Sequence, residues 1–145
     1  MSMFSAIDAA GSGLSAERLR LDVISNNLAN ANTTRTAKGG PYRRQVVVYE
    51  PRDQHSDFGK MLARKLEAGK GVRVVGIMED NTPSPVVYDP NHPDADAEGY
   101  VRMPNINIVS EMVDMITASR SYEANVATIS SAKAMAMKAL EIGNR

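Results

Sequence analysis

The sequence predicts an α+β protein: long N- and C-terminal α-helices pairing as an antiparallel coiled coil, with a small β-rich middle module. Three observations predict it. Ile7, Leu14, Leu21 and Leu28 recur every seven residues, which sets them on one helix face in the geometry of a coiled-coil seam. Neither Pro nor Gly occurs between Asn105 and Ile142, while apolar or small residues recur there at spacings of three and four. The stretch between is broken by Gly and Pro and holds short β-branched runs, the grammar of strands and turns.

The N-terminal segment, 1–36, carries the first helix. Ile24 and Ala10 widen its stripe, and Phe4, Gly11, Arg18 and Ser25 make the companion positions mixed. Gly11 and Gly13 each weaken a helix by roughly 1 kcal/mol relative to Ala, so a bend or early break is expected near them. Residues 25–36 read SNNLANANTTRT. Leu28 keeps the stripe there, but Asn26, Asn27, Asn30 and Asn32 crowd around it, and an Asn amide competes for the backbone. Two readings stand together. The amides specify register across subunits, as a buried Asn does in coiled coils, or Asn30 and Asn32 simply end the helix.

Lys38-Gly39-Gly40-Pro41 breaks the helix and opens the middle module, 37–104. Strands are expected over Tyr42–Tyr49, Gly71–Met78, Val86–Tyr88 and Gly99–Met103, with a short helix or strand start at Met61–Leu66. The C-terminal segment, 105–145, is one helix of roughly 35 residues, about 50 Å long at 1.5 Å per residue. Its stripe runs Val109, Met112, Ile116, Ser119, Tyr122, Val126, Ile129, Ala136 and Leu140, with Val113 and Met115 on either side and Gly143 at the C-cap position. Lys133 interrupts, its stem able to lie along the seam. Such a helix is too long for the core of a small domain, so its stripe meets the other helix or other chains.

Composition narrows the function classes. Among 145 residues, 17 Lys plus Arg balance 17 Asp plus Glu, unlike a chain built to coat nucleic acid. With two Phe, five Tyr and no Trp, large core residues are scarce and a single big core is not expected. The absence of Cys excludes disulfides and thiolate chemistry. No apolar run is long enough to span a membrane, and the start MSMFSAIDAAGSGLSAERLR lacks the pattern of a cleaved signal peptide. Charge is sorted: residues 35–73 hold ten Lys or Arg against four acids, and residues 79–98 hold six acids and no Lys or Arg. Opposed patches attract within the module or between copies.

Chemistry is hard to find. Asp89-x-x-His92-x-Asp94-x-Asp96-x-Glu98 is the best metal candidate, with oxygen ligands at alternate positions. It lacks the twelve-residue calcium-loop order, and the alternative is an acidic turn whose Asp, Asn and Pro set backbone angles. His55 stands alone in a polar stretch. Gly69-Lys70-Gly71 is no phosphate loop, Gly11-Ser12-Gly13 is no nucleophile elbow, and the sequon Asn32-Thr33-Thr34 is a pattern common by chance. No catalytic residue, cofactor site or metal site is assigned, and the chain is expected not to be an enzyme.

Leu21-x-x-Ile24-Ser-Asn-Asn-Leu-Ala-Asn-Ala-Asn-Thr resembles the signature of bacterial flagellar rod and hook axial proteins. The distal half narrows the likeness. Gly71-Val-Arg-Val-Val-Gly-Ile leads to Val87-Tyr88-Asp89-Pro90-Asn91-His92-Pro93-Asp94-Ala95, then Gly99-Tyr100-Val101 and Pro104-Asn105-Ile106. Glu111-Met112-Val113-Asp114-Met115 and Ala118-Ser-Arg120-x-Tyr122-Glu-Ala124-Asn125 follow. In that order it is similar to the proximal rod proteins of the basal body. The resemblance implies a structural, motility-supporting subunit whose terminal helices form a coiled coil stacked in a helical drive-shaft tube. It implies Ile7, Leu14, Leu21, Ile24 and Leu28 as the seam of the first helix. Val109, Met112, Ile116, Tyr122, Val126, Ile129 and Leu140 are the seam of the last. Implied partners are further copies, the other proximal rod proteins, the adaptor joining rod to membrane ring, and the next rod segment. The flagellar type III export apparatus would carry the uncleaved chain to a rod crossing the periplasm, and Phe58-x-x-x-Leu62 has the form of a short export-gate motif. Neither nucleic acid nor direct membrane insertion is implied. The alternatives are another axial protein of the rod and hook family, a secreted helical binding or chaperone-like module, and an enzyme using the acidic loop. With so little shared core, the free monomer is expected to have disordered termini and a folded middle.

Overall fold

A computed structural model describes residues 3–52 and 71–143. In chain order it contains helix α1 (Met3–Ala29), strands β1 (Gln45–Pro51), β2 (Val72–Glu79), β3 (Val86–Tyr88) and β4 (Tyr100–Arg102), and helix α2 (Ile108–Gly143). The two terminal helices, antiparallel, and the small sheets between them give the expected α+β class. His55, the Met61–Leu66 element, Phe58-x-x-x-Leu62 and Gly69-Lys70 lie outside the described residues.

Helix α1 passes Gly11 and Gly13 without the expected break. At Gly13 a Cβ atom would come within 2.9 Å of the Asn125 amide nitrogen, so the missing side chain lets α2 approach closely. The helix ends at the asparagines, ten residues before Gly39. The Asn30 amide N–H donates to the carbonyls of Asn26 (3.1 Å) and Asn27 (3.2 Å), the Ala31 N–H donates to Leu28 (3.3 Å), and Asn30 Nδ2 donates to Asn26 O at 2.9 Å. The Thr33 hydroxyl then donates to Asn30 Oδ1 (3.2 Å). Backbone N–H groups and the one Asn30 side-chain amide thus satisfy carbonyls of the last turn.

Strand β1 starts three residues later than the pattern predicts. The amides before it are taken elsewhere: Tyr42 N–H donates to Thr33 O (3.0 Å) and Arg44 N–H to Asn105 Oδ1 (2.8 Å). β1 and β2 form one two-stranded sheet, its antiparallel sense marked by Arg52 N–H to Gly71 O at one end and Asp80 N–H to Arg44 O at the other. β3 and β4 form the second, antiparallel, with Val86 opposite Arg102, Val87 opposite Val101 and Tyr88 opposite Tyr100. Gly99 closes this hairpin at φ 85°, where a Cβ would meet the Tyr88 ring, so only glycine fits without strain.

Helix α2 has a defined start. Asn107 Oδ1 accepts from Ser110 N–H at 3.1 Å, and its carbonyl accepts from Glu111 N–H at 2.9 Å. Asn107→Ala should therefore cost about 1 kcal/mol, the usual value of an N-cap. A urea titration followed by circular dichroism would show it as a lowered midpoint with an unchanged slope.

The chain divides into two compact units. One comprises Met1–Leu19, Val48–Gly76 and Ala118–Arg145, the other Arg20–Val47 and Ile77–Thr117. In the first, the fully buried apolar residues among those described are alanines: Ala10, Ala16, Ala118 and Ala132. In the second they are Val23, Ile24, Val47 and Val101, joined by buried Asn27 and Glu111.

Candidate functional site

Asn27 is the best-connected side chain of the second unit, only 1% exposed. Its Nδ2 donates to Gln45 O (2.9 Å) and to Glu111 Oε2 (3.0 Å). Its Oδ1 accepts from Gln45 N–H (2.9 Å) and from the Tyr42 hydroxyl (3.3 Å). Both donors and both lone pairs of the amide are used, so one side chain ties α1 to β1 and α2. This amide acts within the chain; none of its capacity is left for a neighbour.

Around it lies an ion-pair network. Glu111, also 1% exposed, accepts from Arg44 Nε at 2.6 Å. The same guanidinium reaches Asp114 at 3.4 Å and Asp80 at 4.0 Å, and Arg20 donates to Asp114 at 3.1 Å. The planar fork of Arg44 suits such a shared role. Burial, reinforced by the charges of Glu79 and Glu111, raises the Tyr42 phenol above its ordinary range. A raised folded-state value leaves stability intact below pH 10, the ordinary phenol value, and removes it as pH climbs through the folded value. Tyr42→Phe should flatten that alkaline loss in a pH series of urea midpoints; an unchanged alkaline slope would contradict it.

The basic and acidic segments meet inside this unit. Lys38 pairs with Glu79 (3.2 Å), Arg35 lies 4.0 Å from Asp94, and Arg43 donates to Asn81 (3.2 Å). The Tyr88-to-Asp94 loop is built from local turns. Asp89 Oδ1 accepts from Asn91 N–H (3.2 Å), and His92 Nδ1 accepts from Asp94 N–H (3.1 Å). Asp96 Oδ1 accepts from the N–H groups of Glu98 (3.0 Å) and Tyr100 (2.8 Å). The Thr34 hydroxyl donates to Asp94 Oδ2 at 2.7 Å, and the rings of Tyr88 and Tyr100 meet edge-on at 5.3 Å. The acidic residues thus set backbone angles, as Asx turns do. Among the described residues no three His, Asp or Glu side chains gather as metal ligands. An open groove of about 440 Å³ runs past Thr34, Arg35, Asp94, Asp96, Tyr100 and Arg102.

The predicted seams are sorted in an unexpected way. On α1, Ile24 is buried, and Ile7, Leu14, Leu21 and Leu28 are half-buried. On α2, Ile129 is half-buried, whereas Val109 (70%), Met112 (53%), Ile116 (54%), Val126 (42%) and Leu140 (72%) are exposed, with Tyr122 at the margin. The fully buried α2 residues are small or polar. Glu111, Ala118 and Ala132 are buried, and Asn125 is the residue against Gly13. These four are themselves seven apart, a second heptad set that the search for large apolar side chains passed over. In the first unit Gly13 faces Asn125; in the second Arg20 meets Asp114 and Asn27 meets Glu111, so α1 and α2 run antiparallel. Of the other motif asparagines, Asn26 and Asn32 are exposed and Asn30 is half-buried. On α2, then, the buried contacts are small or polar, and most of the large apolar side chains face outward.

Long terminal helices that meet antiparallel, a β insert between them in sequence, and an exposed apolar row on the last helix define the class: an α+β subunit of coiled-coil type. Two family descriptions fall on those helices. Residues 7–35 match "Flagella basal body rod protein", and residues 97–142 match "Flagellar basal body rod FlgEFG protein C-terminal". A flagellar basal-body rod protein FlgC of Borreliella burgdorferi is 50% identical over 98% of both chains. Those of Bacillus subtilis and Salmonella typhimurium are 44% and 40% identical, each over 99% of both chains. The chain belongs to the flagellar basal-body rod proteins, in their FlgC family.

Proposed function

We propose that the chain is a structural subunit of the bacterial flagellar basal-body rod, in its proximal part, and contributes to flagellum-dependent motility without catalysing a reaction. The observation that carries this reading is the exposed apolar row on α2, Val109, Met112, Ile116, Val126 and Leu140. A lone soluble protein rarely leaves so long a row uncovered, whereas a subunit stacked in a tube has neighbours on several sides. Near-full-length identity to proteins named as basal-body rod components supports the same reading.

In this reading segments 1–36 and 105–145 form the axial helical part, and segment 37–104 forms the module beside it. Ile7, Leu14, Leu21 and Leu28, half-buried in the free chain, become fully covered together with the α2 row. The partners are further copies, the other proximal rod proteins, the adaptor to the membrane ring and the next rod segment. The subunit reaches a rod crossing the periplasm through the flagellar type III export apparatus. A complementation experiment tests it: the tagged chain, expressed where the endogenous rod protein is deleted, should restore swimming and co-purify with basal bodies. Recovery solely as a soluble one-to-one complex with a client would overturn the proposal in favour of a helical binding module.

A further inference from the structure

We propose that the α1–α2 pair is built in two grades. A polar lock centred on Asn27 and Glu111 holds the inner halves, 20–29 and 108–117, in the free subunit. The outer halves, 3–19 and 118–143, are open to solvent exchange. The lock is therefore a conformational device that divides each helix within its own length. It stands on the side-chain chemistry of this chain and does not depend on the rod reading.

Two observations carry it. The first is the chemistry of the buried residues on each side of the division. The inner halves contribute Val23 and Ile24 to a unit that also buries Val47 and Val101. Burying such branched side chains removes a large apolar surface from water. The outer halves bury alanines, which remove far less apolar surface from water. Gly13 adds backbone entropy there. The second observation is the bonding. Asn27 makes four hydrogen bonds to three partners, and Arg44 and Arg20 converge on Glu111 and Asp114. In the outer halves, Ser12 Oγ accepts from Val72 N–H at 3.0 Å, and Arg52 meets Asp8 at an exposed 3.4 Å, a contact of the kind that contributes little.

A long helix with both kinds of support does not open as one piece, because local opening follows local burial and hydrogen bonding. The sequence expectation of wholly disordered termini is thereby narrowed. The preformed part of the subunit includes the last turns of α1 and the first turns of α2, and it presents the outer halves from fixed starting points.

Hydrogen exchange followed by mass spectrometry on the full chain, kept monomeric as checked by light scattering, tests this. Amides of 20–29 and 108–117 should exchange about 100-fold more slowly than those of 4–16 and 122–140. Asn27→Ala should abolish most of the inner protection and leave the outer halves unchanged. If Asn27→Ala yields no folded protein, Tyr42→Phe, which removes the phenol hydrogen bond to Asn27, is read instead; it should speed exchange several-fold in 20–29 and 108–117 alone. Equal protection along either helix would overturn the proposal. So would inner protection that survives loss of the lock, or a loss spread evenly over both halves.

Discussion

Glu111→Ala is expected to destabilise the unit formed by residues 20–47 and 77–117 by about 3–5 kcal/mol, the usual consequence of removing one partner of a buried ion pair. The carboxylate is 1% exposed and accepts from both Arg44 and Asn27. Its loss leaves a guanidinium and an amide N–H facing each other with nothing between them to accept. Arg44 keeps Asp114 and Asp80 within 3.4 and 4.0 Å and is partly open to water, so the lower end of that range is expected. Glu111→Gln keeps an acceptor for Asn27 and loses the charge; its effect should be smaller. Urea unfolding followed by circular dichroism measures both, with the order alanine worse than glutamine as the expected outcome. Equal, near-zero changes would show that the network contributes nothing to the fold.

The second large effect concerns assembly. Val126→Asp should abolish rod assembly and motility while leaving the free chain soluble and folded. Val126 is 42% exposed in the isolated chain, so a carboxylate there remains hydrated and costs the monomer little. Covered by a neighbour, the same carboxylate loses its water without a partner, at an effective penalty of several kcal/mol for each copy. Repetition in an assembly multiplies the penalty. Leu21→Asp should block assembly too, but Leu21 is half-buried in the chain itself, so some loss of monomer stability accompanies it. Swimming assays paired with circular dichroism of the purified variants separate the two effects. Normal swimming by Val126→Asp would count against a buried role for this face.

Much of the fold was legible because its signals are local. Heptad leucines, a Pro- and Gly-free stretch and β-branched runs place the last helix, the start of the first and all four strands of the described residues within a few residues; the first helix ends at Ala29, short of the expected break at Lys38-Gly39-Gly40-Pro41. The errors came where a distant partner decides. Strand β1 starts late because Thr33 and Asn105 take the amides of Tyr42 and Arg44, and no local pattern announces that. Gly13 reads as a weak point until Asn125 is seen against it. The asparagine cluster was read as a register device between subunits or as a fraying end. Asn30 ends the helix, while Asn27 is spent inside the chain.

The candidate site was less legible. A search for large apolar side chains finds on α2 a row that faces mostly outward, and on α1 a row that is half-buried. The contacts within the chain use Gly13, Ala118, Asn125 and Glu111, residue types that a hydrophobic stripe ignores. Glu111 and Asp114 were visible as motif letters, but their roles depend on Arg44 and Arg20, 67 and 94 positions away in sequence. A second heptad, Glu111, Ala118, Asn125 and Ala132, was the available clue.

In the proposed rod, neighbouring subunits cover the outward face of α2. A density map of assembled basal bodies containing this chain tests it directly. Val109, Met112, Ile116, Val126 and Leu140 should be packed against side chains of adjacent subunits, with the Asn27–Glu111 contact intact inside each copy. A map in which those five side chains face open solvent in the assembled rod would contradict it.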